Sequence, residues 1–187
     1  MGLLTPDWEA FAAVVRTLDR LEIPYMVVGS VAASFHGLTR ATHDVDLVVA
    51  LRPQDVPQLV SALSDGFYVD EDNAADATRS ADMFNAIHYE GGFKIDFWVL
   101  KTDEFSRAQF DRRIPVDTDN LTAYVASAED TILSKLLWHK ISPSERQLSD
   151  ARSIMLVSGK KLDMDYLLQW ARKLDLQELL NAVIEEE

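Results

Sequence analysis

Apolar residues recur along this chain at two different spacings, and the change from one to the other divides it. After Thr5-Pro6-Asp7, Phe11, Val14, Val15, Leu18 and Leu21 follow a helical period, with Thr5 as N-cap and Pro6 in the first position, so a helix is predicted over about 6–21. Ile23-Pro24 ends it. Tyr25-Met26-Val27-Val28 then reads as a short buried strand that turns at Gly29-Ser30 into a helix of about 31–37, closed by Gly37. Over 44–51 the pattern alternates: Val45, Leu47 and Val49 face one way, Asp44, Asp46 and Val48 the other. Pro53 opens a helix carrying Val56, Leu59, Val60 and Leu63. Strands follow at 83–89 and 93–100, separated by the hairpin signal Glu90-Gly91-Gly92, and a shorter one at about 112–117 follows a helical turn near Phe105.

From Ser127 to the C-terminus the period is helical throughout, through Ile132, Leu133, Leu136 and Leu137, then Leu148, Ile154 and Leu156, then Leu167, Leu168, Trp170, Leu174 and Leu179. Strands first and helices after predict an α+β fold: an α/β core over 1–125 and a C-terminal helical lobe, 126–187, packed on it. At 187 residues the chain suffices for such a core and appended lobe.

Composition narrows the chemistry. The net charge of −13 disfavours a general nucleic-acid coat or a polybasic membrane anchor. The absence of cysteine excludes disulfides, thiolate metal sites and thiol nucleophiles, and fits a reducing compartment. The first residues lack a basic, apolar leader, and no apolar run approaches the roughly 18 residues of a membrane span, so a cytoplasmic location without membrane contact is expected.

Three of the 31 acids are unusually placed. Asp44 and Asp46 stand at i and i+2 on an otherwise apolar strand, so both leave one face about 6.6 Å apart at Cα and can lean toward one divalent cation. Asp96 lies mid-strand in Phe93-Lys94-Ile95-Asp96-Phe97-Trp98-Val99, on the face opposite Phe93, Ile95, Phe97 and Val99. An acid there is costly unless solvated or bound to a cation. If the two strands are neighbours, the three acids can hold two cations, with Asp96 also placed to take a proton from an attacking hydroxyl. Gly29 allows close backbone approach to a phosphate, and Ser30 offers a hydroxyl and an N–H at a helix start. An ordinary turn is the alternative for this pair. Trp98 shares the Asp96 face and suits either base stacking or packing.

These residues resemble the nucleotidyltransferase superfamily with the polymerase-β-like core: a strand, Gly29-Ser30, a short helix, Asp44-Val45-Asp46 on the next strand and Asp96 on a later one. Gly37-Leu38-Thr39-Arg40-Ala41-Thr42-His43-Asp44-Val45-Asp46 is similar to the subgroup containing the AbiEii-type toxins of type IV toxin–antitoxin systems. Ala128-Glu129-Asp130-Thr131-Ile132-Leu133-Ser134-Lys135-Leu136, with Arg146 and Asp150, resembles that subgroup's later motifs. The resemblance implies a nucleotidyltransferase-like mixed β-sheet with flanking helices and transfer of a nucleoside monophosphate from an NTP to an acceptor, whether RNA, protein or small molecule, with a cognate antitoxin as partner. It implies Mg²⁺ or Mn²⁺ on Asp44, Asp46 and Asp96, which are also the catalytic residues. Gly29, Ser30, Arg40, Thr42, Lys135 and Asp150 would contact the nucleotide, and Lys135 would offset charge on the leaving pyrophosphate. Arg40 suits either a substrate phosphate or a local carboxylate, and Thr42 can hydrogen-bond the loop presenting Asp44. Arg146 and Asp150, four apart, also suit a plain helix ion pair. Modification of a small molecule such as an antibiotic, and nucleotide binding without turnover, are the alternatives.

Charge is unevenly spread. Residues 131–161 carry Lys135, Lys140, Arg146, Arg152, Lys160 and Lys161 against Glu145 and Asp150, a local +4; residues 65–104 carry ten acids against three bases, a local −7. Either these are two solvated faces, or a basic lobe stands opposite an acidic sheet with nucleotide and cations between them.

Overall fold

A computed structural model describes residues 6–38, 44–118 and 121–185. Helix α1 (Pro6–Arg20) leads into β1 (Tyr25–Val28), α2 (Gly29–His36) and β2 (Asp44–Val49). A 3₁₀ turn (Pro53–Asp55) opens α3 (Val56–Leu63). Strand β3 (Phe67–Val69), α4 (Glu71–Ser80), β4 (Met83–His88) and β5 (Lys94–Val99) come next, then α5 (Glu104–Asp111), β6 (Ile114–Thr118) and β7 (Leu121–Val125). The rest is helical: α6 (Ala128–Ile141), α7 (Glu145–Ser158), α8 (Met164–Lys173) and α9 (Gln177–Glu185), with a 3₁₀ turn (Gly159–Lys161) after α7. The fold is the expected α+β arrangement of a mixed sheet, flanking helices and helices at the C-terminal end.

The seven strands form one sheet in the order β3-β4-β5-β2-β1-β7-β6. β2 runs parallel to β5 and β1 parallel to β7; the other pairs are antiparallel. The alternation read from 44–51 holds: Val45, Leu47 and Val49 are buried with Ile95, Phe97 and Phe84 in one core that also takes in the apolar faces of α1 and α3. Full burial of each such side chain contributes about 1.5–3 kcal/mol, and the Phe84 and Phe97 rings stack at 4.9 Å. A second core joins α6 to α9 and draws in Ala33 of α2 and Phe105 of α5.

Three elements lie outside the sequence reading, and α5 and α2 are longer than it allowed. Strand β7 carries a clean alternation, Leu121, Ala123 and Val125 in and Thr122 and Tyr124 out, so its signal was present. β3 is too short to show a period. α4 buries only Ala74 and Ala77, a stripe too weakly apolar to stand out, and is started by the Asp70 side chain accepting the Asn73 N–H at 2.9 Å. Thr5, the proposed cap of α1, lies outside the described residues. Among the described residues no helix is long and apolar enough to cross a membrane.

Candidate active site

The middle of the sheet lines up the site. Asp46 of β2 is the register neighbour of Asp96 on β5, of Val28 at the end of β1 on its other side, and Asp96 in turn neighbours Asn85 of β4. Residues in register on adjacent strands leave the same face, so Asn85, Asp96 and Asp46 form a polar row across the side of the sheet opposite the Phe84–Phe97 core. Asp44 stands one step along β2, exposed, in register with Lys94.

Gly29 follows Val28 directly and has φ +65°, and a Cβ built on it would lie 2.1 Å from Asp46 Oδ2. Both conformation and space demand glycine here. The chain thereby brings the start of α2 against the carboxylate, and no acidic side chain occupies the first turn of that helix. Its backbone N–H groups keep their positive potential.

Burial raises the pKa of Asp46, and the neighbouring Asp44 and Asp96 charges add to the rise, while the Trp98 N–H and the Lys135 charge oppose it. Trp98 Nε1–H donates to Asp46 Oδ1 at 3.2 Å. Asp96, only 7% exposed, takes the Lys94 ammonium on Oδ2 at 3.0 Å, and its buried Oδ1 has no hydrogen-bond partner among the described residues. The reading of Asp96 as an acid facing open water does not hold.

A cleft of about 460 Å³ opens beside this row. Gly29, Ser30, Asp46 and Trp98 line it from the sheet and the start of α2, and Lys135, Ser134 and Trp138 of α6 with Gln109 of α5 line it from the helices. The volume is within the range of small-molecule sites. Asp96 and Asp44 are not on its wall: one lies behind Asp46 along the row, the other beyond it. Lys135 Nζ pairs with Asp150 Oδ2 of α7 at 2.7 Å, both side chains below 10% exposure. Asp150 therefore holds Lys135 from the helix behind it. Of the other lobe bases, Lys140 is turned to the end of α8, donating to the Leu174 and Asp175 carbonyls and pairing with the Asp175 carboxylate at 2.8 Å. Arg40, Thr42 and His43 lie outside the described residues.

Residues 4–185 match the family described as nucleotidyltransferase of unknown function, DUF6036. The chain belongs to it. This nucleotidyltransferase is thereby a transferase of phosphorus-containing groups. It is similar in structure to an antigenic nucleotidyltransferase-like protein from Paracoccidioides brasiliensis, at 18% identity and TM-score 0.59 over 96% of this chain and 94% of that one. The antibiotic-resistance factor ANT(2'')-Ia aligns at 13% identity and TM-score 0.61 over 96% of this chain and 99% of that one. The lincosamide antibiotic adenylyltransferase LnuA, solved with lincomycin bound, aligns at 13% identity and TM-score 0.53 over 80% of this chain and 96% of that one. At such identities the likeness is one of fold. No curated protein matches the sequence.

The candidate site also holds residues that sequence reasoning missed. Asn85 stands beside Asp96 as a polar residue inside an otherwise apolar strand, a signal that was present. Ser134 Oγ donates to Gln109 Oε1 at 3.2 Å, both residues lining the cleft with Asp46, a pairing between α5 and α6 that no local pattern announces.

Among the described residues no three His or acidic groups gather into a cluster able to hold a metal ion alone. The donor set nevertheless fits a hard divalent cation that takes further oxygens from a bound phosphate. Asp46 and Asp96 are register neighbours with carboxylate oxygens, the buried Asp96 Oδ1 has no hydrogen-bond partner among the described residues, and the bare Gly29 lets Asp46 Oδ2 pack against the start of α2.

Proposed function

We propose that this protein moves a nucleoside monophosphate from an NTP to an acceptor hydroxyl in a reaction dependent on Mg²⁺ or Mn²⁺. One observation carries the reading: Asp46, Gly29 at a helix start, and a buried lysine from a different helix meet on one cleft, with Asp96 in register behind. Asp46 and Asp96, joined by Asp44 at the sheet's exposed margin, would hold the cation. Bound there, a divalent cation neutralises phosphate charge and orients the attacking and leaving oxygens. The N–H groups of Gly29 and Ser30 and the Lys135 ammonium take the outer phosphates. Asp96 accepts the proton of the acceptor hydroxyl as its oxygen bonds to the α-phosphorus; the bond from that phosphorus to the oxygen bridging to the β-phosphate breaks, and pyrophosphate leaves with that electron pair. Arg40 and Thr42 belong to the nucleotide side of the same proposal.

The toxin reading, with a cognate antitoxin, rests on the motif from Gly37 to Asp46 and the helical motif around Lys135. Small-molecule modification is the second reading. It is favoured by a cleft of about 460 Å³ and by likeness in fold to an antibiotic-resistance factor and a lincosamide antibiotic adenylyltransferase. A cytoplasmic setting and a working division near residues 125 and 126 complete the proposal. The test is incubation of α-labelled NTPs and Mg²⁺ with RNA, protein and small-molecule fractions. Label should enter one fraction in a manner that Asp46→Asn and Asp96→Asn abolish, and that fraction separates the readings. Absence of label from every fraction would leave nucleotide binding without turnover.

A further inference from the structure

Asp46 is held by a group that brings no charge. Trp98 stands on β5 two residues beyond Asp96, on the same face of the sheet, and its Nε1–H reaches Asp46 Oδ1 at 3.2 Å. The other oxygen, Oδ2, is the atom nearest to where a Gly29 Cβ would be. The two oxygens are thus differentiated: one tied to the indole, the other turned to the start of α2. On its far side the Trp98 ring meets Trp138 edge-on, with centroids 5.9 Å apart and planes at 61°. Trp138 follows Lys135 by three positions on α6, so both project from one helix face into the same cleft.

We infer that Trp98 is a positioning residue for the Asp46 carboxylate, fixing which oxygen faces the phosphate-binding helix start and bracing that acid against the helix that carries Lys135. It rests on the reading of Asp46 as a cation ligand. The chemistry of indole suits the role. It donates one hydrogen bond, has no acceptor in the ring plane and carries no charge, so it orients a carboxylate without neutralising it and cannot itself take the cation. A lysine or arginine in its place would compete with the cation for the acid. Partners that orient metal-binding side chains typically change affinity by about 10- to 100-fold when removed.

The test uses the full chain, Mg²⁺ alone and proton–nitrogen correlation spectra of the backbone and the four tryptophan indoles. The indole resonance missing in Trp98→Phe should be the one that shifts saturably with Mg²⁺ in the wild type, with the same midpoint as the Gly29 and Ser30 amides. Trp98→Phe, which keeps a ring against Trp138, should weaken Mg²⁺ binding by about tenfold, read from those amides. An unmoved Trp98 indole while the Gly29 amide titrates, or wild-type affinity in Trp98→Phe, would overturn the inference and leave the cation site standing. If Mg²⁺ moves no resonance, or titrates Asp46→Asn as it does wild type, the cation site itself falls. Should Trp98→Phe not fold, the wild-type indole shift and its loss in Asp46→Asn decide the matter.

Discussion

Asp130 and Asp96 are both buried aspartates, and the protein treats them in opposite ways. Asp130, fully buried near the start of α6, receives the Ser127 hydroxyl at 2.8 Å, the Tyr166 hydroxyl at 2.7 Å and Arg112 Nε at 3.3 Å. Its neighbour Glu129 takes the other arm of Arg112 at 3.3 Å and the Asp163 N–H at 2.9 Å, and the guanidinium lies 3.8 Å over the Tyr166 ring. Burial and the hydrogen bond to Asp130 push the Tyr166 hydroxyl well above its usual pKa, so it stays a donor. Each of the four carboxylate oxygens in that network has a donor, although the two acids share one guanidinium. Asp96 has a single lysine on one oxygen and a bare second oxygen, beside an Asp46 that is held by a neutral indole. A matched acid cluster joins helices; an under-matched one keeps lone pairs for a ligand.

The sharpest way to break this contrast is Asp130→Ala, which leaves the Ser127 and Tyr166 hydroxyls without their acceptor and Arg112 with Glu129 alone; it should cost about 3–5 kcal/mol in urea unfolding. A loss below about 1 kcal/mol would show that the network is not structural. Asp96→Asn should do the reverse, lowering label transfer by about 10²–10³-fold while unfolding stays close to wild type. Lys135 tests the boundary between the two types, being paired yet on the cleft. Lys135→Met should cost about 3 kcal/mol by taking the lysine cation away from the buried Asp150, and adding Asp150→Asn should restore stability but not transfer. Restored transfer in the double variant would remove Lys135 from the phosphate site.

Smaller effects refine the picture. Tyr166→Phe should cost about 1 kcal/mol, one hydrogen bond to a still-paired Asp130, with transfer unchanged per folded molecule. The smallest is a gain. Because burial raises the Asp46 pKa above 3.8, its ionised form costs the fold stability as pH rises through the raised value. Asp46→Asn should therefore melt higher than wild type at pH 7 without cation, and that gain should vanish below the ordinary carboxylate range. A lower melting temperature at pH 7 would show that Asp46 is already matched like Asp130.

Much of the site was legible because strand alternation is local. Asp44, Asp46 and Asp96 were separated from the core face by counting residues, and Gly29 by its place between an apolar strand and a helix. Asp150 was read two ways, as a nucleotide residue and as a partner for Arg146 one turn away; the structure gives it Lys135 of α6, a contact between helices that no spacing within α7 reveals. Trp98 was known to share a face with Asp96, but its bond goes to Asp46 on the neighbouring strand.

By itself, the sequence determined which side chains leave which face of each strand, where the chain must carry glycine, and that a helical region follows a strand-rich one. These depend on residues two to four apart. Tertiary structure alone decided that β2 lies beside β5, putting Asp46 in register with Asp96 across 50 positions, and that α6 brings Lys135 to the same cleft. It also decided which acids are matched and which are left open. The physical reason is that periodicity is written in neighbouring residues, whereas strand order, helix packing and the neutralisation of a buried charge arise only when distant segments meet.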